Sequence, residues 1–133
     1  MTAKLQMIGN AALLDLPDKV AFLSSRRISA ADVLKFLLRG KVPIILVLAR
    51  SLWKTVPEEL RDPVGLGRLL IVSPVSATRA STATATARNR WILANCTSLV
   101  LGSLDPDGNL AKLVASFSSL SRYLLTEEAR GPV

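Results

Sequence analysis

Two basic clusters carry the chemistry that this sequence can offer. Arg26-Arg27 follows the apolar run Val20-Ala21-Phe22-Leu23 through Ser24-Ser25, and Arg88-Asn89-Arg90 opens a predicted helix. A guanidinium presents a planar fork of N–H donors that matches a phosphate group bidentately, and the unbonded N–H groups of a helix start add positive field. If the apolar runs beside them are parallel strands, both clusters lie at the C-terminal edge of one sheet, where open α/β folds place ligands. Each arginine alone reads better as a surface cation, solvated or paired with a carboxylate. The convergence of two clusters favours a phosphate site.

Other chemistries are short of residues. The chain contains no histidine, which removes the side chain best suited to proton transfer near neutral pH and the commonest transition-metal ligand. Ser-His-Asp and Cys-His mechanisms are therefore excluded. Glu58-Glu59 and Glu127-Glu128 read as solvated pairs, and Asp105 and Asp107 sit in a proline-containing turn. Cys96 has no histidine to activate it and reads as a structural thiol. Gly65-Leu66-Gly67 precedes an apolar run rather than following one, so it reads as a turn and not as a dinucleotide fingerprint. The expectation is a binding protein without cofactor or metal and without intrinsic hydrolase or transferase activity.

The elements that must position the arginines follow from periodicity. Lys4 to Ile8 is an edge-strand candidate leading into a Gly9-Asn10 turn. Val20–Leu23, Ile44–Leu48, Leu69–Val72 and Leu99–Leu101 are short, continuous apolar runs of the kind found in buried parallel strands, with Ile44–Leu48 expected at the centre of the sheet. Between them, Ser29–Arg39 carries clear helix signals: Ser29 as N-cap, Gly40 after the last turn, and Ala30, Val33, Leu34, Leu37 and Leu38 on one face. Pro57-Glu58-Glu59-Leu60 begins a short helix. Ser76 to Thr86, almost wholly Ser, Thr and Ala, lacks the large apolar groups that offset ordering entropy. It reads as a mobile loop, the alternative being a small-residue helix start. Helices are expected over Arg88–Asn95 and Leu110–Leu125, the latter after the turn Asp105-Pro106-Asp107-Gly108.

Composition agrees with one α/β core. The chain has 133 residues, 50% of them hydrophobic and only 5% aromatic, so Leu, Val, Ile and Ala must fill the interior. No apolar run approaches the roughly 20 residues needed to span a bilayer, and the longest, Val42 to Ala49, contains Pro43. The N-terminal residues do not read as an export signal, and a cytoplasmic location is expected. Seventeen Lys and Arg against ten Asp and Glu give a net charge of +7, which favours polyanionic partners.

In order along the chain, Met7-Ile8-Gly9-Asn10 with Leu13-Leu14, Val20 to Arg26, Ile45-Leu46-Val47-Leu48 with Pro57-Glu58, Arg88-Asn89-Arg90-Trp91-Ile92-Leu93-Ala94 and Gly108-Asn109-Leu110 resemble the DNA-processing protein A family. The form is reduced. Ser24 stands where that family has glycine, and the Ser-Gly-Gly stretch with its βα unit is missing, because the helix ending near Arg39 leads directly into Ile44. The resemblance implies a Rossmann-like α/β fold, a three-layer sandwich with a mostly parallel sheet, as a single domain over residues 1–133 with 126–133 frayed. It also implies binding of single-stranded DNA and its delivery to a recombinase.

By position the resemblance makes Arg26, Arg88 and Arg90 phosphate-binding residues, and Ser25, Asn89 and Gly108 complete the candidate site. The expected arrangement is one cleft shared by Arg26 and Arg88, with Arg90 nearby and the Ser76–Thr86 segment as its lid. Single-stranded nucleic acid is the first expected partner and a small nucleotide, sensed or carried, the alternative, with homodimer formation left open. A phosphoribohydrolase, the third relative considered, needs a Pro-Gly-Gly-x-Gly-Thr-x-x-Glu signature that the chain lacks.

Overall fold

The computed structural model describes residues 5–25 and 29–124. Within them the elements run β1 (Gln6–Ile8), a 3-10 helix (Ala11–Asp15), β2 (Val20–Leu23), α1 (Ala30–Leu38), β3 (Ile44–Val47), α2 (Glu58–Gly65), β4 (Leu69–Ser73), α3 (Thr82–Asn95), β5 (Ser98–Leu101), α4 (Asn109–Ala115) and β6 (Ser121–Leu124). Each strand expected from an apolar run is present. The tail 126–133 and Lys4 lie outside the described residues. Among the described residues two units are distinguished, one of 5–17 and 37–88, the other of 18–25, 29–36 and 89–124.

The first unit holds a three-stranded sheet in the order β1-β4-β3. β3 pairs parallel with β4 and β1 pairs antiparallel with its other side. The centre of this sheet is therefore β4, not Ile44–Leu48 as expected. The burial explains the choice: Leu69, Leu70, Ile71, Val72 and Ser73 are all fully buried, whereas Ile45 and Leu46 of β3 are only half-buried. α2 packs on β4 and buries Leu60, and the 3-10 helix buries Leu13. Asn10 starts that helix by accepting the Ala12 N–H at 3.0 Å. Before it, Gly9 adopts φ +113°, and a Cβ there would stand 2.5 Å from the Leu69 carbonyl oxygen. Only glycine lets the chain turn so close to β4.

The second unit holds an all-parallel sheet in the order β2-β5-β6, with Phe22 beside Val100 and Val100 beside Tyr123. Strand alternation puts Ala21, Leu23, Leu99 and Leu101 on one face, where they form a core with Leu93 of α3 and Leu110, Leu113 and Val114 of α4. α1 starts as expected: Ser29 Oγ accepts the Asp32 N–H at 3.1 Å, and Gly40 N donates to Leu37 O at 3.1 Å.

Two expected helices have different bounds. The helix expected over Leu110–Leu125 stops at Ala115, and Ser121–Leu124 is the strand β6. A serine that competes for a backbone partner stands at its end. Ser116 Oγ donates to Leu113 O at 2.6 Å, and Arg122, reaching back from β6, donates Nη2 to the carbonyls of Val114 and Phe117 at 2.9 and 3.1 Å. The helix expected over Arg88–Asn95 begins earlier, at Thr82, so the loop expected over Ser76–Thr86 ends at Ser81. A reciprocal cap fixes that start: Ser81 N donates to Thr84 Oγ1 at 2.8 Å, and Thr84 N donates to Ser81 Oγ at 3.1 Å.

Candidate nucleic-acid interface

At the C-terminal edge of the second unit's sheet, the chains leaving β2 and β5 are tied together. Gly102 N donates to Leu23 O at 2.8 Å and Ser25 N to Ser103 O at 2.9 Å, which extends the β2–β5 pairing beyond both strands. Ser25 Oγ then accepts the Asp105 N–H at 3.1 Å, and Asp105 O accepts the Gly108 N–H at 3.0 Å. Ser25 and Gly108, two of the expected site residues, are thus links in one hydrogen-bond chain through Asp105. Ser24, in the position where the resembled family has glycine, contributes a hydroxyl to the same edge. Its Oγ donates to Ser25 O at 2.9 Å and is hydrogen-bonded to the buried Ser103 Oγ at 3.1 Å. The serine uses its side chain to fasten the two strand ends where a glycine would leave room for a ligand to approach the backbone. Arg26 and Arg27 lie outside the described residues.

Arg88, Asn89 and Arg90 sit in the interior of α3, not at its start as the sequence suggested. The helix starts six residues before Arg88, so the amides of this run do not contribute to the positive field of a helix start. With about 100° of rotation per residue, Arg88 and Arg90 are turned about 200° apart around the axis, which explains their different surroundings. Arg88 is half-buried and Arg90 exposed. Burial lowers the Arg88 pKa from its ordinary value through desolvation, although a guanidinium remains charged at any physiological pH. Arg90 shares its exposed stripe with Ala83, Ala87 and Ala94. The lid expected from Ser76–Thr86 is not a lid over its last five residues, which form the first turns of α3.

Residues that the sequence reading passed over stand at the corresponding edge of the first unit. Leu48 N donates to Val72 O at 2.9 Å, and Ser51 N to Ala77 O at 2.7 Å. Ala77 N returns a bond to Ser51 Oγ at 2.9 Å. The fully buried Ser73 shares its one hydroxyl proton between the carbonyls of Arg50 and of Val75. The signal was legible: Leu48-Ala49-Arg50-Ser51 makes the same switch from apolar to basic and hydroxylic residues as Leu23-Ser24-Ser25-Arg26. Among the described residues no cluster of His, Cys, Asp or Glu could hold a metal ion, and no helix is long and apolar enough to cross a membrane. Cys96 is half-buried, with Sγ 3.7 Å from Leu93 O, and burial raises its thiol pKa.

The parallel sheet, the helices between strands and the polar edges after them define a mixed α/β protein of Rossmann-like kind. Within that class the chain is similar in structure to DNA processing protein A from Helicobacter pylori, solved for its single-stranded DNA binding mode. The TM-score is 0.63 at 19% sequence identity, over 93% of this chain and 72% of that one. At this identity the likeness is one of fold. No protein-family model matches the chain, and no curated protein matches it.

Proposed function

We propose that this chain binds single-stranded nucleic acid by its phosphate backbone. Arg88 and Arg90 of α3 contact phosphates, assisted by Asn89, while Ser25 and Gly108, where β2 and β5 end, and Arg26 supply further contacts. The observation that carries the reading is the similarity of fold, over 93% of the chain, to a protein that binds single-stranded DNA. The net charge of +7 supports it, because neutralising phosphates releases counterions and gives affinity without sequence preference. A half-buried Arg88 suits the role, since a cation partly withdrawn from water interacts more strongly with an anion than a solvated one does.

The reading is tested by fluorescence anisotropy of a labelled oligo(dT) at low salt with the parent chain, Arg88→Ala, Arg90→Ala and the double variant. Each hydrogen-bonded charge contact is worth about 1.5–3 kcal/mol, so each single variant is expected to weaken binding by roughly tenfold to a hundredfold. Lysine in place of Arg88 restores only part of the loss, because an ammonium lacks the planar fork. Unchanged affinity in a folded double variant would remove these arginines from the account. A parent that ignores oligo(dT) but is thermally stabilised by mononucleotides would move the function to a nucleotide carrier or sensor.

A further inference from the structure

Both loops that leave the C-terminal edge of the first unit's sheet are cationic and contain no acid. Between Asp32 and Glu58 there is no Asp or Glu, and between Asp62 and Asp105 there is none either. The loop after β3 carries Arg50 and Lys54, and the loop after β4 carries Arg79. β3 and β4 are neighbouring parallel strands, so the two loops leave the sheet about 5 Å apart.

They are also fastened to each other. The Ser51–Ala77 pair of hydrogen bonds joins them, and the one hydroxyl proton of Ser73 is shared between the carbonyls of Arg50 and Val75. Arg50 is half-buried and its Nε donates to Ser51 O at 3.0 Å, which ties one donor of its guanidinium to the loop. Lys54 and Arg79 are exposed. α3 begins three residues after Arg79, so the positive end of its dipole reinforces the same region. A single-sign group on braced loops differs from scattered surface charge in two ways. No carboxylate in either loop neutralises it, and a polyanion that binds it does not have to order the loops first.

We propose that Arg50, Lys54 and Arg79 form a second backbone-binding surface, which holds phosphates of single-stranded nucleic acid in addition to those bound by Arg88 and Arg90. The proposal rests on the reading of the chain as a single-strand binder and extends it to residues outside the Arg-Asn-Arg run. Its signature is electrostatic. Each phosphate neutralised on a single strand contributes about 0.7 to the slope of log K against log salt, so loss of all three contacts is expected to reduce the slope by about 2.

The experiment titrates oligo(dT) over a range of salt with the parent, Arg50→Ala/Lys54→Ala/Arg79→Ala, and Arg88→Ala/Arg90→Ala, each checked for folding by circular dichroism. Because Arg50 is part of the loop's hydrogen bonding, Lys54→Ala/Arg79→Ala serves as the milder variant, with an expected reduction of about 1.4. Arg50→Lys/Arg79→Lys, which keeps both charges, is expected to retain the parental slope. An unchanged slope in the folded triple or double variant overturns the proposal. If Arg88→Ala/Arg90→Ala nevertheless weakens binding, the single-strand reading survives that failure. A reduced slope in the triple variant with no effect of Arg88→Ala/Arg90→Ala supports this surface and removes the Arg-Asn-Arg run instead. A parent that does not bind overturns both.

Discussion

The start of α3 decides where the Arg-Asn-Arg run sits, and Ser81→Ala perturbs it most cleanly. Ser81 Oγ accepts the Thr84 N–H, one of the amides that a helix start leaves without an intrahelical partner. The first turn contains no acidic residue to complement the dipole. Thr82-Ala83-Thr84-Ala85-Thr86-Ala87 also holds no large apolar side chain, so unwinding it forfeits little burial. The cap is worth about 1 kcal/mol. Opposing it, the three threonines cost about 0.5 kcal/mol each relative to alanine. Local stability is therefore small, and removing the cap should lower the hydrogen-exchange protection of the Ala85 to Arg88 amides by about fivefold. Thr86→Ala works in the other direction. It removes a β-branched residue whose Oγ1 donates back to Thr82 O at 2.9 Å, and protection should rise. The assay is amide exchange followed by mass spectrometry or NMR. Ala85, whose N–H donates to Ser81 O at 2.9 Å, must be protected in the parent. Exchange of Ala85 to Arg88 at the rate of an unstructured peptide, or no response to Ser81→Ala, would refute the capped start and return the segment to a loop.

Three further outcomes are expected. Gly9→Ala places a Cβ against the backbone of buried β4 at a positive φ and should destabilise the chain by about 2–4 kcal/mol in urea unfolding. Gly65→Ala, with nothing within 4 Å of the added Cβ, should be neutral or stabilising, and equal effects would contradict the close approach of Gly9 to β4. Arg88→Met, which keeps an unbranched side chain at this half-buried position but removes the guanidinium, should weaken oligo(dT) binding as strongly as Arg88→Ala. Unchanged binding by the folded variant would make Arg88 a structural residue. Burial holds the Cys96 thiol above its ordinary pKa, so thiolate forms more readily in the unfolded chain. The resulting stabilisation is complete below the ordinary thiol pKa and is lost as pH rises through the raised folded value. Reaction of Cys96 with a disulfide reagent at neutral pH should accordingly be slower than that of a free thiol, and an equal rate would show that burial has no such effect.

The strands were legible because burial on both faces demands continuous apolar runs, and Leu69-Leu70-Ile71-Val72 is such a run. Which strand is central was not. Ile44 to Leu48 and Leu69 to Val72 have the same composition, and only pairing tells them apart. α1 was readable from Ser29 and Gly40 because its caps use the commonest side-chain chemistry. α3 was misjudged because its cap pairs Ser81 with Thr84, within a Ser/Thr/Ala run where every third or fourth residue could play either part. β6 was hidden because Leu120 and Leu124 continue the helical spacing of Leu110, Leu113 and Phe117. The end of α4 depends on Arg122, a residue six positions beyond Ser116. In the candidate site, Ser25 and Gly108 were named from separate motifs, and the link between them through Asp105 is a tertiary hydrogen-bond chain that no local pattern encodes.

The most direct measurement of whether this chain is a single-strand binder is the affinity of the parent protein for oligo(dT) across a salt series, set beside its affinity for a mononucleotide. The expected result is binding that falls steeply and linearly in log–log form as salt rises, with much weaker binding of the mononucleotide, which offers one phosphate where the strand offers many. Salt-independent binding of oligo(dT), no binding of it at low salt, or tighter binding of the mononucleotide would contradict a function based on the phosphate backbone.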